Sequence, residues 1–207
     1  MDPVGCLAFP DVEELDLVGP WELFGLWHAK AGGPRCVMLA ETASPVRGRH
    51  GLRLVPDATF DEAPSLSALL VPGGEGTRRL GAASAATSLV ARRAASVDAL
   101  LSVCTGVRVL HAAGLVAGRR ITTHWSALDE ARSWTEAQVV EERVVRDGPV
   151  WTAAGVSAGM DMALAYIRAT DGAEVAAAVR RHAEYFPDAP ASDASDWPDA
   201  PAYLDDV

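Results

Sequence analysis

The sequence predicts one α/β domain built on a mostly parallel sheet. Short apolar runs alternate with longer amphipathic ones along nearly the whole chain, a glycine pair (Gly73-Gly74) directly follows one apolar run, and Cys104 stands where another run gives way to a helical stretch. Alternation of this kind places helices over both faces of a sheet whose strands are joined by crossovers. At 207 residues, 49% hydrophobic and 22% charged, the chain is long enough to bury one substantial core.

Val4 to Phe9 reads as the first strand, and Pro20 suits the first turn of a helix that runs through Trp21, Phe24 and Trp27. Arg35 to Ala40 and Leu52 to Val55 read as strands, and Ala68 to Val71 as another that stops at Pro72-Gly73-Gly74, a turn needing backbone freedom. Ser84 to Ala95 is Ala-rich and helical, Ala99 to Val103 is a buried-type strand, and Thr105 to Ala112 is helix ending near Gly114. Ile121 to Thr123 reads as strand and Ala127 to Arg132 as helix. Glu142 to Arg146 and Val150 to Ala153 read as a strand pair turning at Asp147-Gly148, followed by helices over Ala158 to Thr170 and Ala173 to His182. From Pro187 onward neither period is visible, and this stretch is expected to be an irregular acidic extension of a 1–186 domain.

Charge and cysteine usage exclude several classes. The net charge is −10, and six of the 28 acidic side chains (Asp188, Asp193, Asp196, Asp199, Asp205, Asp206) lie beyond Pro187, where there is no Lys or Arg. Most of the net negative charge therefore belongs to the tail, and no basic surface for nucleic acid is expected. No apolar run approaches a membrane span and the N-terminus lacks a secretory signal, so a cytoplasmic protein with no membrane partner is expected. Cys6, Cys36 and Cys104 are too few and too scattered for a disulfide framework or a zinc site, and Cys6 and Cys36 sit in apolar strand runs.

Cys104 is the candidate for chemistry. In open α/β sheets ligands gather outside the carboxyl ends of the strands, and a sharp strand-to-helix turn is expected to expose its side chain and set it at a helix N-terminus that favours thiolate. A lone cysteine is also commonly a small buried hydrophobe, and the spacing leaves both readings open. Asp16, after the first strand, is either a capping or loop acid or, if buried beside the thiol, a general acid whose pKa is raised by desolvation and by a neighbouring thiolate. His124, at the end of Thr122-Thr123-His124-Trp125, is either structural or a second proton-transfer group.

Taken in order, Phe9-Pro10-Asp11, Leu15-Asp16-Leu17-Val18-Gly19-Pro20, Val71-Pro72-Gly73-Gly74, Val103-Cys104-Thr105-Gly106, Ala113-Gly114-Leu115, Thr122-Thr123-His124-Trp125, Arg143 to Gly148 and Gly155 to Asp161 resemble the DJ-1/PfpI superfamily. Within it the chain is most similar to the isonitrile hydratases, colinearly to about Tyr185. The resemblance implies a flavodoxin-like sandwich with a nucleophile elbow at Cys104, a homodimer, and the hydratase branch's Asp at position 16. It also implies Thr105 where the PfpI-type proteases place His.

The implied reaction hydrates a small-molecule isonitrile to an N-substituted formamide through a cysteine thioimidate, with no metal or organic cofactor. In that scheme Asp16 moves protons and Thr105 holds the cysteine or water. The Thr105 backbone N–H joins Gly74 and Glu75 in stabilising developing charge, with His124 and Gly155 lining the substrate side. Arg108 and the Glu75 carboxylate are departures, expected to face solvent or else to alter the pocket. The alternatives are a DJ-1-like glyoxalase or deglycase, a ligand-sensing domain like those of AraC-type regulators, and a redox sensor acting through Cys104. Asp16 and Thr105 disfavour the glyoxalase. The acidic extension, where such regulators carry a basic DNA-binding region, disfavours the regulator.

Overall fold

The computed structural model describes residues 1–186, so the acidic extension expected from Pro187 lies outside the described residues. In chain order the regular elements begin with β1 (Val4–Leu7), α1 (Glu14–Ala31), β2 (Cys36–Ala40), β3 (Val46–Arg47), β4 (Arg53–Leu54), β5 (Ala58–Thr59) and β6 (Ala68–Val71). Next come α2 (Ala85–Arg93), β7 (Ala99–Val103), α3 (Val107–Ala112), β8 (Arg120–Ile121), α4 (Leu128–Arg132) and β9 (Gln138–Val139). The hairpin strands β10 (Val144–Asp147) and β11 (Val150–Ala153) and the helices α5 (Ala158–Asp171) and α6 (Ala173–His182) complete the order.

Seven strands form one sheet in the order β10-β11-β7-β6-β1-β2-β5, parallel throughout except for the β10–β11 hairpin. This is the α/β sandwich that the alternation predicts. β1, β6, β7 and β11 are buried along their whole length, which is why they read as continuous apolar runs rather than alternating ones. The chain leaves β1 toward β2 and later returns to β1's other side as β6. This reversal opens a crevice at the carboxyl edge, into which the ends of β1, β6, β7 and β11 all deliver their loops.

Several elements differ from the sequence expectation. α1 begins at Glu14, so Pro20 lies inside the helix rather than in its first turn. The segment Glu14–Leu17 supplies acids suited to a helix N-terminus, and only one interior N–H is lost to the proline. Asp16 is thereby in the first helical turn, not in the loop before it. The run at Leu52 to Val55 contributes only β4, paired with β3 apart from the central sheet, while the edge strand β5 has too short a pattern to be read. Ile121 is in β8, which pairs with β9 in a separate two-stranded sheet, and Thr122 and Thr123 lie beyond it. Ser84 caps α2 as its side chain accepts from Thr87 N–H at 3.1 Å. Among the described residues, no helix is long and apolar enough to cross a membrane.

Candidate active site

Cys104 opens a short 3-10 turn between β7 and α3 with φ +56°, a left-handed conformation that costs a non-glycine residue energy and is characteristic of a nucleophile elbow. Its N–H donates to Ala154 O at 2.8 Å, and its carbonyl accepts from Thr123 Oγ1 at 2.8 Å. The ends of β7, β11 and the segment after β8 are thus stitched together at this residue. The side chain is only 7% exposed, so the turn aims the sulfur into the crevice rather than at solvent.

Asp16 is completely buried. Its Oδ2 accepts the Gly73 N–H at 2.8 Å, while Glu13 N–H donates to Gly73 O at 2.9 Å, so the end of β6 is latched to the first turn of α1. A Cβ on Gly73 would lie 2.6 Å from Thr105 N and 2.8 Å from Asp16 Oδ2, so only glycine allows these two groups to close on each other. The second carboxylate oxygen, Oδ1, is buried without a hydrogen-bond partner. Thr105 completes the group. Gly74 N–H donates to Thr105 Oγ1 at 3.0 Å, the Thr77 and Thr105 hydroxyls reach Gly74 O at 2.8 and 3.3 Å, and the two hydroxyl oxygens are 3.1 Å apart.

Burial dominates the electrostatics. Desolvation pushes the Asp16 carboxyl up to about 8, helped by the Glu13 charge and opposed by the Gly73 N–H and the Cys104 thiol. Desolvation also pushes the Cys104 thiol up to about 12. The Asp16 charge adds to it, against the Thr105 N–H, the Val156 N–H and the Thr105 hydroxyl. The expectation that the turn exposes the thiol and the helix end favours thiolate is therefore corrected, because the apolar surroundings outweigh the nearby donors. At neutral pH both groups of the pair hold their protons.

The remaining predicted residues divide. Gly155 lies against His124, where a Cβ would come within 2.4 Å of the ring, and the imidazole is held by Ser126, whose N–H donates to Nδ1 at 3.2 Å. That bond places the ring proton on Nε2, and burial keeps the imidazole's pKa below its ordinary value. Gly74 takes part only through its backbone, and its N–H is already committed to Thr105. The Glu75 carboxylate is half-exposed and paired with Arg78 at 3.0 Å, and Arg108 pairs with Glu130. Of the other cysteines, Cys6 is buried and Cys36 half-buried. Glu13, Thr77 and Val156 were not legible, since each acts through a charge, a hydroxyl or a backbone group that only folding brings to the site. Among the described residues, Glu13, Glu14 and His50 bring metal-type donor atoms within 4.8 Å of one another. Glu13 already faces His50 at 3.2 Å and Arg49 at 3.6 Å, and one Glu14 oxygen accepts two backbone N–H groups.

Residues 4–169 match the model of the DJ-1/PfpI family. An isonitrile hydratase from Pseudomonas putida is 36% identical over 98% of this chain and 86% of its own length. A ThiJ/PfpI family protein from Pseudomonas syringae superposes with a TM-score of 0.82 at 35% identity, covering 91% of this chain and 77% of that one. A DJ-1 superfamily protein from Salmonella typhimurium, solved as a cysteine-to-alanine mutant, gives 0.77 at 28% identity, covering 90% and 100%. The sheet order, the elbow at Cys104 and these likenesses agree: the chain belongs to the DJ-1/PfpI family.

Proposed function

We propose that this protein hydrates isonitriles to N-substituted formamides, with Cys104 as nucleophile and Asp16 as the proton carrier. The observation that carries the reading is the pairing of a buried thiol with a buried carboxyl that gives up its proton first, near pH 8, beside a threonine rather than a second base. The likeness to the Pseudomonas putida isonitrile hydratase supports it. An isonitrile is neutral and largely apolar, which suits a desolvated crevice, and its terminal carbon must gain both a nucleophile and a proton.

In the first step the thiol proton passes to the Asp16 carboxylate, the sulfur pair forms a C–S bond to the isonitrile carbon, and the carboxyl gives its proton to that same carbon. The product is a thioimidate, R–N=CH–S–Cys104. Water then adds across the C=N bond, its oxygen to carbon and a proton to nitrogen, with Asp16 relaying the proton. Collapse of the adduct breaks the C–S bond, releases R–NH–CHO and returns the proton to Cys104. Thr105 steadies the sulfur by its N–H and hydroxyl, and His124 with Gly155 borders the approach. The balance is one isonitrile and one water consumed per formamide. A homodimer is part of the same proposal, tested by sedimentation at twice 21.8 kDa.

The test is loss of the isonitrile stretch in the infrared with purified protein, the formamide being identified by mass. Turnover by the native chain and none by Cys104→Ala is expected. Unchanged isonitrile alongside rapid consumption of methylglyoxal would replace this reading with a glyoxalase, and inertness to both would favour a sensing domain.

A further inference from the structure

Arg143, Asp161 and Tyr185 have no part in the proposed chemistry. The fold brings them to one point. The Arg143 guanidinium reaches the Asp161 carboxylate through Nε at 2.7 Å and Nη2 at 2.6 Å, and Nη2 also donates to Ser157 Oγ at 3.2 Å. Tyr185 donates its hydroxyl proton to the other Asp161 oxygen at 3.1 Å. On the main chain, Ala154 N–H donates to Arg143 O at 2.9 Å. One residue therefore grips both ends of the four-residue segment 154–157, by its carbonyl at the start and its side chain at the finish.

That segment is in intimate contact with the nucleophile. Ala154 O accepts the Cys104 N–H at 2.8 Å, and the Val156 N–H is one of the donors that oppose the upward shift of the Cys104 thiol. Val156 has φ +37°, a conformation that a β-branched residue holds only when its surroundings impose it. The Ser157 side chain makes no capping bond of its own to α5, leaving Arg143 as the partner that fixes it. Two guanidinium nitrogens converge on one Asp161 oxygen while Tyr185 holds the other, a charge-assisted anchor suited to holding a strained backbone in place.

We infer that Arg143 is a positioning residue for Cys104: with Asp161 and Tyr185 it clamps segment 154–157 so that the Val156 N–H stays aimed at the sulfur. This rests on Cys104 being the reactive group of the site, and the readout is chosen to be independent of isonitrile turnover. In the full chain, Cys104 alkylation by iodoacetamide is followed across pH by peptide mass, with the Cys36 rate in the same sample as a control for general loosening.

Loss of one donor to the anion moves the rising limb of the alkylation profile to higher pH. In Arg143→Ala the Cys104 rate at a fixed pH on that limb should fall about tenfold, corresponding to roughly one pH unit, while the Cys36 rate is unchanged. Arg143→Lys, which keeps the charge without the two-nitrogen grip, should recover part of the shift, and Tyr185→Phe should give a smaller shift of the same sign. If Arg143→Ala fails to fold, Arg143→Lys and Tyr185→Phe decide the matter. A profile that coincides with the native one in folded variants, with only a lower Tm, would overturn the inference. A shifted profile in a protein whose native form leaves isonitriles untouched would keep the clamp and reject the hydratase reading. Native turnover with an unmoved profile would reject the clamp alone.

Discussion

Asp16 and Cys104 share one desolvated site, so their protons come off as properties of the pair. Sulfur attacks and carboxyl donates in the singly protonated form, which develops as the first proton leaves near pH 8 and persists toward 12. The expected kcat/KM profile therefore rises through about pH 8, and in Asp16→Asn that limb disappears with a loss on the order of 10²–10⁴-fold. A native profile flat from pH 6 to 9 would contradict the pairing. The same burial has an effect on stability. The Asp16 contribution is fully present below the unfolded value near 3.8 and is lost as pH rises through about 8. At neutral pH the buried carboxyl costs on the order of a few kcal/mol. Asn can still accept the Gly73 N–H, so Asp16→Asn should raise Tm at pH 7 and have little effect at pH 4, read by calorimetry. At this scale, the strand-end turn and the acid after the first strand made Cys104 and Asp16 candidates, and the family resemblance added Thr105. The sequence reading missed the direction of the thiol's shift, which depends on what packs around the turn, and it missed Val156, whose strain is invisible in its residue type.

α1 and α5 place the two halves of the site. A Cβ on Gly19 would come within 2.9 Å of Met160, and one on Gly159 within 3.0 Å of Val103, so small residues let the helices and β7 approach closely. Behind that contact, Trp27 donates to Asp171 at 2.7 Å and meets Tyr166 edge-on at 6.2 Å, locking the far end of α1 to the end of α5. Trp27→Phe removes the hydrogen bond and leaves a partial void, and is expected to cost about 1–3 kcal/mol in denaturant unfolding. An unchanged midpoint would show that this end of the helix pair carries no stability. Helices such as Ala173–His182 and strands such as Ala68–Val71 were legible to within a residue, since their period and their bounding turns agree. Pro20 misplaced the start of α1, because a proline is tolerated where tertiary packing holds the helix around it. β3, β5 and β9 have two residues each, too few for any period to show.

For the whole molecule, the parallel order of the sheet brings the ends of β1, β6, β7 and β11 to one edge, and a site can be assembled there from residues as distant in sequence as Asp16, Gly73, Cys104 and Gly155. That convergence follows from topology, which is why a sequence reading could place these residues in one crevice without knowing a single distance. Contacts such as Arg143 to Asp161 and Tyr185 join elements in ways that no local pattern records. The central claim, covalent hydration at Cys104, is tested most directly by the intact mass of the protein in an acid-quenched reaction with an aryl isonitrile. The expected result is a species heavier by one isonitrile, located by fragmentation on the Cys104 peptide, absent from Cys104→Ala, and disappearing as formamide accumulates. Formamide production with no adduct, or an undiminished rate in Cys104→Ala, would contradict it.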